Sequence, residues 1–348
     1  MMARSEIAPI AIGLSAAVVG LKDQTPLILT LREDEEAEGR DMLPSGPFDP
    51  LRHRTFELGL RAFVEAQAGL QIGHVEQLYT FGDRGRHARP DDEGDHVVSV
   101  GYLALSRGAA PEDAISAQAL ELSGASFQPW YEYFPWEDWR TGRPVVLDRY
   151  LLPALLTWAA KGDPTQAERL KLAFALDGLV WDDERVLDRY ELLYEAGLIE
   201  EAAADGRDSV VVSDLFEHTG RAMRFDHRRI LATAISRLRA KLKYRPLVFE
   251  LMGDEFTLTD LQKTVEALAG RHLHKQNFRR LVEANALVEP TGTSRISAAW
   301  WRPMHWWNRP AQAVRKLADV RRNCFVSAVR FCWSVQHRDC ASKSIWSG

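Results

Sequence analysis

Amide and guanidinium side chains gather on one short stretch of this 348-residue chain: Lys275, Gln276, Asn277, Arg279 and Arg280. Amides pair with adenine edges, and guanidinium groups pair with guanine edges or with phosphate. The apolar residues among them, Phe278, Leu281, Val282 and Leu287, recur at helical spacing, so the polar groups surround the exposed start of a helix. Just upstream, FTLTDLQKTVEALAG starts at Thr257 or Thr259 as an N-cap, turns Leu258, Leu261, Val265 and Leu268 to a core, and stops at Gly270. Helix, glycine-containing turn and second helix make the layout of a helix-turn-helix, whose second helix enters the major groove N-terminus first. Thr259 and Gln262 on the first helix complete the candidate DNA contacts. Small helical domains that never meet DNA share this layout, so the pattern alone leaves both readings open.

A second constellation is YTFGDRGRHARP. Arg84, Arg86 and Arg89, with Gly82 and Gly85 permitting close backbone approach, suit a pyrophosphate, and Tyr79 or Phe81 can stack on a base. The competing reading is an exposed basic turn between strands. The loop that follows offers no metal-ligand spacing: His87 and His96 flank Asp91, Asp92, Glu93 and Asp95 without a cysteine, and this loop reads as solvated.

The third stretch runs from Leu43 to Leu70, LPSGPFDPLRHRTFELGLRAFVEAQAGL, and resembles the Nudix hydrolase signature: a glycine loop, then a helix closing on Gly-Leu. Anchored on Gly69 and Leu70, that signature places its arginine on Ala62 and its metal-binding glutamates on Phe63, Ala66 and Gln67. Positions i, i+3 and i+4 share a helical face and must supply carboxylates to hold a divalent metal against pyrophosphate. Phe63, Ala66 and Gln67 supply none, so neither catalytic residues nor metal ligands are expected here. Glu57, Arg61 and Glu65, four residues apart, read as a solvated ion-pair ladder. Gly46 stands two residues further from the helix than the signature allows, and Pro47 and Pro50 stiffen the gap.

These sites must be carried by several regions, and composition bounds them. A chain with 46% hydrophobic and 27% charged residues has the make-up of soluble proteins with real cores. No run of eighteen apolar residues suggests a membrane span, and IAPIAIGLSAAVVGL reads as a buried strand, Ile10 to Gly20, rather than a signal peptide, which points to the cytoplasm. A turn at Lys22 to Gln24 leads to a partner strand from Pro26 to Leu31. Residues 1–218 carry 20 Lys/Arg against 39 Asp/Glu, a balance of −19, whereas residues 219–348 carry 24 against 10, a balance of +14. An acidic body joined to a basic end fits a ligand domain coupled to a polyanion-binding one, or two halves that pair with each other.

Four segments follow. Residues 1–145 alternate short apolar runs with turns and read as an α/β sheet domain closed by Trp130, Trp136 and Trp139 in a packed aromatic cluster. Residues 146–244 form a helical connector ending in DHRRILATAISRLRAKLKYRP. Its apolar face is Ile230, Leu231, Ala234, Ile235, Leu238 and Leu242, and its polar face is Arg228, Arg229, Arg237, Arg239, Lys241 and Lys243. That helix reads as a dimer arm, as a strut with a solvated basic face, or as a rail for phosphates. Residues 245–294 hold the helix-turn-helix. Residues 295–348 are atypical, with all three cysteines and six of eleven tryptophans but no helical or strand period; a shifted reading frame would produce such a tail, at the cost of the wing.

QLYTFGDRGR, WDDERVLDRYELLYEAGLIEEA, DHRRILATAISRLRAKLKYRPLVFEL, FTLTDLQKTVEALAG and LHKQNFRRLVE resemble blocks of the Nudix-related transcriptional regulators of NAD metabolism, the NrtR family, in its longer NadQ-like alphaproteobacterial form. The resemblance covers about residues 7 to 292. It implies an α/β Nudix-like N-terminal domain, a helical connector and a C-terminal winged helix-turn-helix. It also implies a homodimer that binds operator DNA as a regulator, most simply a repressor, of NAD biosynthesis genes. The implied effector is an NAD-related nucleotide such as ADP-ribose, NAD or ATP, with no catalytic cofactor. The alternatives are a Nudix hydrolase of nucleotide pyrophosphates with a non-standard site, and a nucleotide-binding scaffold without DNA activity.

Overall fold

Ile10–Lys22 forms the long central strand β1, and Asp23 and Gln24, at φ 47° and 62°, turn the chain directly into β2, Thr25–Leu31. Positive φ at both turn residues matches the twist of a tight hairpin, which fixes the register Lys22↔Thr25. The computed structural model describes residues 10–32, 40–83, 96–107, 120, 123–207, 213–243, 245, 247–284, 287–290 and 296–298. These fall into two compact units, residues 1–237 and 238–348.

In the first unit β3 (Ser45–Pro47), β4 (Val75–Phe81), β5 (His96–Leu105) and β6 (Ala125–Pro129) join the hairpin in one mixed sheet. Its order is β4-β5-β1-β2-β6, with β3 also on β1 and the β1–β5 pair parallel. Strand alternation gives the sheet two distinct faces. Leu14, Ala16, Val18, Val100, Tyr102 and Ala104 pack one face against Leu60, Val64 and Ala68 of helix α1, Phe56–Ala68. Burying each such leucine or valine contributes about 1.5–3 kcal/mol. Thr55 caps the start of α1, and Gly69, at φ 64°, ends it. On the other face Gly101 is needed for close approach: a Cβ there would lie 3.0 Å from the Phe81 ring and 3.1 Å from Ile230.

Helices α2 (Leu152–Ala159), α3 (Pro164–Phe174), α4 (Val186–Glu195), α5 (Glu200–Ala204) and α6 (His227–Leu242) follow. Trp130, Tyr133, Phe134 and Trp136 are fully buried, and Trp139 packs on Trp181 with ring centroids 4.4 Å apart, so the aromatic cluster is core. The basic face expected of α6 is overturned. Arg228 is fully buried and donates to Glu201 Oε2 at 3.1 Å, to the Tyr133 carbonyl at 3.0 Å and to the Thr219 carbonyl. Arg229 pairs with Asp83 and Glu191. These helix cations are internal fasteners whose partners lie far away in sequence, which charge periodicity alone does not reveal.

In the second unit Leu247–Leu251 makes a 3₁₀ turn, with Phe249 stacked on Phe256 at 5.6 Å. Helix α7, Leu258–Ala269, starts from Thr257, whose hydroxyl accepts from Asp260 N while the Asp260 carboxylate accepts from Thr257 N. Of the two threonines offered by the sequence, Thr257 is therefore the cap and Thr259 stays exposed. Leu261 and Leu268 are buried, and Arg239, 1% exposed, donates to the Leu268 carbonyl at 3.0 Å. Helix α8, Lys275–Ala284, is followed by an antiparallel ribbon of β7 (Val288–Pro290) and β8 (Ile296–Ala298), in which Val288 pairs with Ala298. The sequence after Ser294 shows no strand period, yet Ile296–Ala298 is a strand. Three residues are too few to show a period, and β8 is set by its pairing with β7 instead. Among the described residues no helix is long and apolar enough to cross a membrane.

Candidate functional site

Phe278 and Val282 bury one side of α8, and this turns Lys275, Gln276, Arg279 and Arg280 outward, all exposed, with Asn277 half-buried. None of the four exposed groups is drawn into an ion pair among the described residues, and Arg280 meets Asn277 only at 3.5 Å. Polar donors thus stand ready at a helix start, the arrangement that meets base edges and phosphates in a major groove. Thr259 is exposed in the first turn of α7. Gln262 is engaged within the unit, since its amide donates to Glu266 Oε1 at 2.8 Å and to the Leu273 carbonyl at 3.0 Å.

Glu266 is a residue that sequence reasoning missed. Its carboxylate, 8% exposed, also accepts from Leu273 N and contacts His272 Nδ1, both at 2.9 Å. Burial pushes its pKa up, but the bonds from His272, Leu273 N and Gln262 outweigh that and hold it below the ordinary glutamate range. One buried carboxylate therefore fastens the α7–α8 turn and fixes the angle at which α8 is presented. The Gln262–Glu266 spacing of four on α7 was the available signal.

In the first unit Tyr79 is 64% exposed, while Phe81 is 2% exposed, edge-on to Tyr79 at 5.5 Å and covered by the Arg229 guanidinium at 5.3 Å. Tyr79 is thus the aromatic that can meet a ligand, and Phe81 supports it. Arg84, Arg86 and Arg89 lie outside the described residues. Tyr79 stands at the rim of a cleft of 520 Å³ whose lining includes Arg169, Arg185, Arg229 and Arg237.

The Nudix resemblance implies a divalent metal on α1, and the residues there do not fit one. The Phe63 ring lies against Gly46, where even a Cβ would come within 2.6 Å of it. The Gln67 amide is committed to Ser45, accepting from its N at 3.1 Å and donating to its carbonyl at 2.8 Å. Glu57 pairs with Arg61 at 2.9 Å, and Arg61 also donates to the Ile72 and Gly73 carbonyls, so the expected ladder ends there without Glu65. An aromatic ring and a satisfied amide cannot replace hard anionic oxygens around a divalent cation.

Residues 248–303 match the NrtR DNA-binding winged helix domain, a stretch that includes α7, α8, β7 and β8 and extends past Ser294. Over 91 residues, 26% of this chain, the sequence is 38% identical to the ADPR responsive transcriptional repressor NtrR of Acinetobacter baylyi. The match spans 33% of that relative, so only about a third of its length is represented. Among solved structures, Shewanella oneidensis NrtR complexed with a 27mer DNA is similar at 17% identity and a TM-score of 0.48, over 84% of this chain and 94% of that one. A MutT/nudix family protein from Enterococcus faecalis is similar at 15% identity and a TM-score of 0.49, over 85% and 89%. The first unit is a mixed α/β sheet with its helices, and the second contains a winged helix domain. Residues 248–303 therefore carry a DNA-binding winged helix domain of the NrtR type.

Proposed function

We propose that the chain is a ligand-responsive transcriptional regulator, acting as a repressor of NAD biosynthesis genes, whose Nudix-like unit senses an NAD-related nucleotide without hydrolysing it. The observation that carries this reading is α8: four polar or cationic side chains stand exposed at a helix start whose angle is fixed by Glu266, within residues that match a DNA-binding winged helix. Lys275, Gln276, Asn277, Arg279 and Arg280, with Thr259, meet operator DNA, and the β7–β8 ribbon serves as the wing. Gln262 acts through the turn. ADP-ribose is the first effector to try, because the relative from Acinetobacter baylyi is named as ADPR responsive; NAD and ATP are the others. Arg84, Arg86 and Arg89 follow Tyr79 closely enough in sequence to contact the same nucleotide. Phe63 against Gly46 and the Gln67–Ser45 bonds favour binding over metal-dependent hydrolysis. The working unit is a cytoplasmic homodimer, with residues 1–145 as sensor, 146–244 as connector and a DNA reader that starts at 245 and runs past the expected end at 294 to include β8.

A mobility-shift assay with promoter DNA of NAD synthesis genes tests the reading. The expected result is a shifted band, absent with random duplex, that changes on adding ADP-ribose. Equal retention of every duplex, or magnesium-dependent turnover of ADP-ribose by protein free of contaminating hydrolase, contradicts it.

A further inference from the structure

We propose that the cleft between β4 and helices α3, α4 and α6 binds an adenine nucleotide carrying a pyrophosphate, on the face of the sheet opposite the box helix α1. The inference rests on the sensor reading above and adds the place and the chemistry. At 520 Å³ the cleft is in the size range of small-molecule sites, about 300–1,000 Å³. Its apolar part is Leu172, Leu187 and the buried Phe81, and Tyr79 stands over it with an exposed ring braced edge-on by Phe81. An amphipathic ring held in this way is a platform for a purine.

The charge pattern points to the rest of the ligand. Four arginines line the cleft against two carboxylates, Asp188 and Glu191, within a region of the sequence that is otherwise strongly acidic. Arg229 is committed to Asp83 and Glu191. Of the other three, Arg169 is clamped by two bonds to Glu195, at 2.8 and 2.7 Å, whereas Arg185 and Arg237 are held less firmly. Arg169, Arg185 and Arg237 are 47%, 38% and 46% exposed, and they pair with Glu195 at 2.7 Å, Asp188 at 3.1 Å and Glu76 at 4.0 Å. The single-contact pairs of Arg185 and Arg237 contribute little, so a phosphate that takes two guanidinium donors at once can displace their carboxylates. Arg237, with the longest pair, is the first to be recruited, and Arg185 follows across the cleft.

The sheet geometry separates this cleft from the box. Phe81 and Ile230 of α6 close on Gly101 from one side, whereas Val100 and Tyr102 face α1 on the other. On the α1 side the Phe63 ring and the Gln67–Ser45 bonds occupy the crevice between loop and helix.

Calorimetry on the full chain with ADP-ribose, adenosine and inorganic pyrophosphate tests the assignment. Arg185→Ala with Arg237→Ala should weaken ADP-ribose and pyrophosphate by about tenfold or more while leaving adenosine unchanged, as loss of charge-assisted bonds requires. Tyr79→Ala should weaken ADP-ribose and adenosine but not pyrophosphate, and Arg237→Lys should keep part of the affinity. Ala66→Glu, exposed on α1, should change nothing. If the wild-type chain binds ADP-ribose and the cleft variants bind it equally well, or if only Ala66→Glu weakens it, the cleft assignment is overturned while the sensor reading stands. If the wild-type chain binds none of the three, both are overturned.

Discussion

Helices α6 and α8 look alike in sequence, each carrying arginines beside an apolar stripe, yet the structure uses their charges in opposite ways. Arg228 and Arg239 are buried and spend their donors on Glu201 and on carbonyls, while Arg279 and Arg280 stand in solvent with Phe278 and Val282 packed behind them. The difference lies in what surrounds each helix. Among the residues of α6 through Arg239 only Arg237 is exposed, so its guanidinium groups must find partners inside the protein, because an unpaired buried charge is very costly. Helix α8 buries one side only, which leaves its polar groups available to a partner molecule. Basic residues on a helix therefore mark a phosphate-binding surface only when they stand exposed rather than fastened to buried partners inside the fold.

Four substitutions separate the two kinds of helix charge, each with a smaller effect than the one before. Arg228→Ala leaves Glu201 buried without its cation and should cost about 3–5 kcal/mol, read as a large drop in the denaturant midpoint of the first unit. An unchanged midpoint would mean that Arg228 is not the fastener described. Glu266→Ala strips acceptors from Leu273 N and the Gln262 amide, and should destabilise the second unit by about 1–3 kcal/mol while loosening α8 enough to weaken DNA binding. Asn277→Ala should do the reverse: stability should stay within about 0.5 kcal/mol, while operator affinity falls by about 1–3 kcal/mol with relaxed preference at one base position. The smallest effect is Gly270→Ala, which forces a side chain to φ 73° and should cost about 1 kcal/mol in thermal melts.

The Glu266 carboxylate also gives the second unit a pH signature. Its folded pKa is depressed, so its contribution is fully present above the unfolded glutamate value, roughly pH 4.3, and is lost as pH falls through the lower folded value. Stability of this unit measured from pH 6 downward should decline over that acid window, and Glu266→Gln should flatten the decline. A decline of the same steepness in the variant would assign it to other groups.

Much of this was legible in the sequence. Alternation in HVVSVGYLAL and the apolar run after Ile10 mark strands, and a threonine cap at Thr257 or Thr259 with Gly270 brackets α7, because these signals act over a few residues. The outward set on α8 was legible for the same reason: Phe278 and Val282 declare the buried side, and the rest follows from helical spacing. What could not be read were contacts between distant segments. Glu201 lies 27 residues from Arg228, and Glu137 lies 52 residues from Arg189, so nothing local announces either buried pair. Tyr79 and Phe81 were found as aromatics, but their different roles depend on Gly101 and Arg229, which reach them only through the folded sheet. The β7–β8 ribbon was hidden because three-residue strands carry no periodicity.

Whether α8 is the helix that meets DNA is read from the salt dependence of DNA affinity, measured by anisotropy on the full chain with a promoter duplex of an NAD synthesis gene and a random duplex. Three proteins are compared: wild type, Arg279→Ala with Arg280→Ala, and Arg237→Ala. The wild type should prefer the promoter, the α8 double variant should lose affinity and lower the salt slope by about one to two units, and Arg237→Ala should bind DNA as the wild type does. A double variant with unchanged slope and preference, alongside an Arg237→Ala protein that loses both, would contradict this and move the DNA contact from α8 to α6.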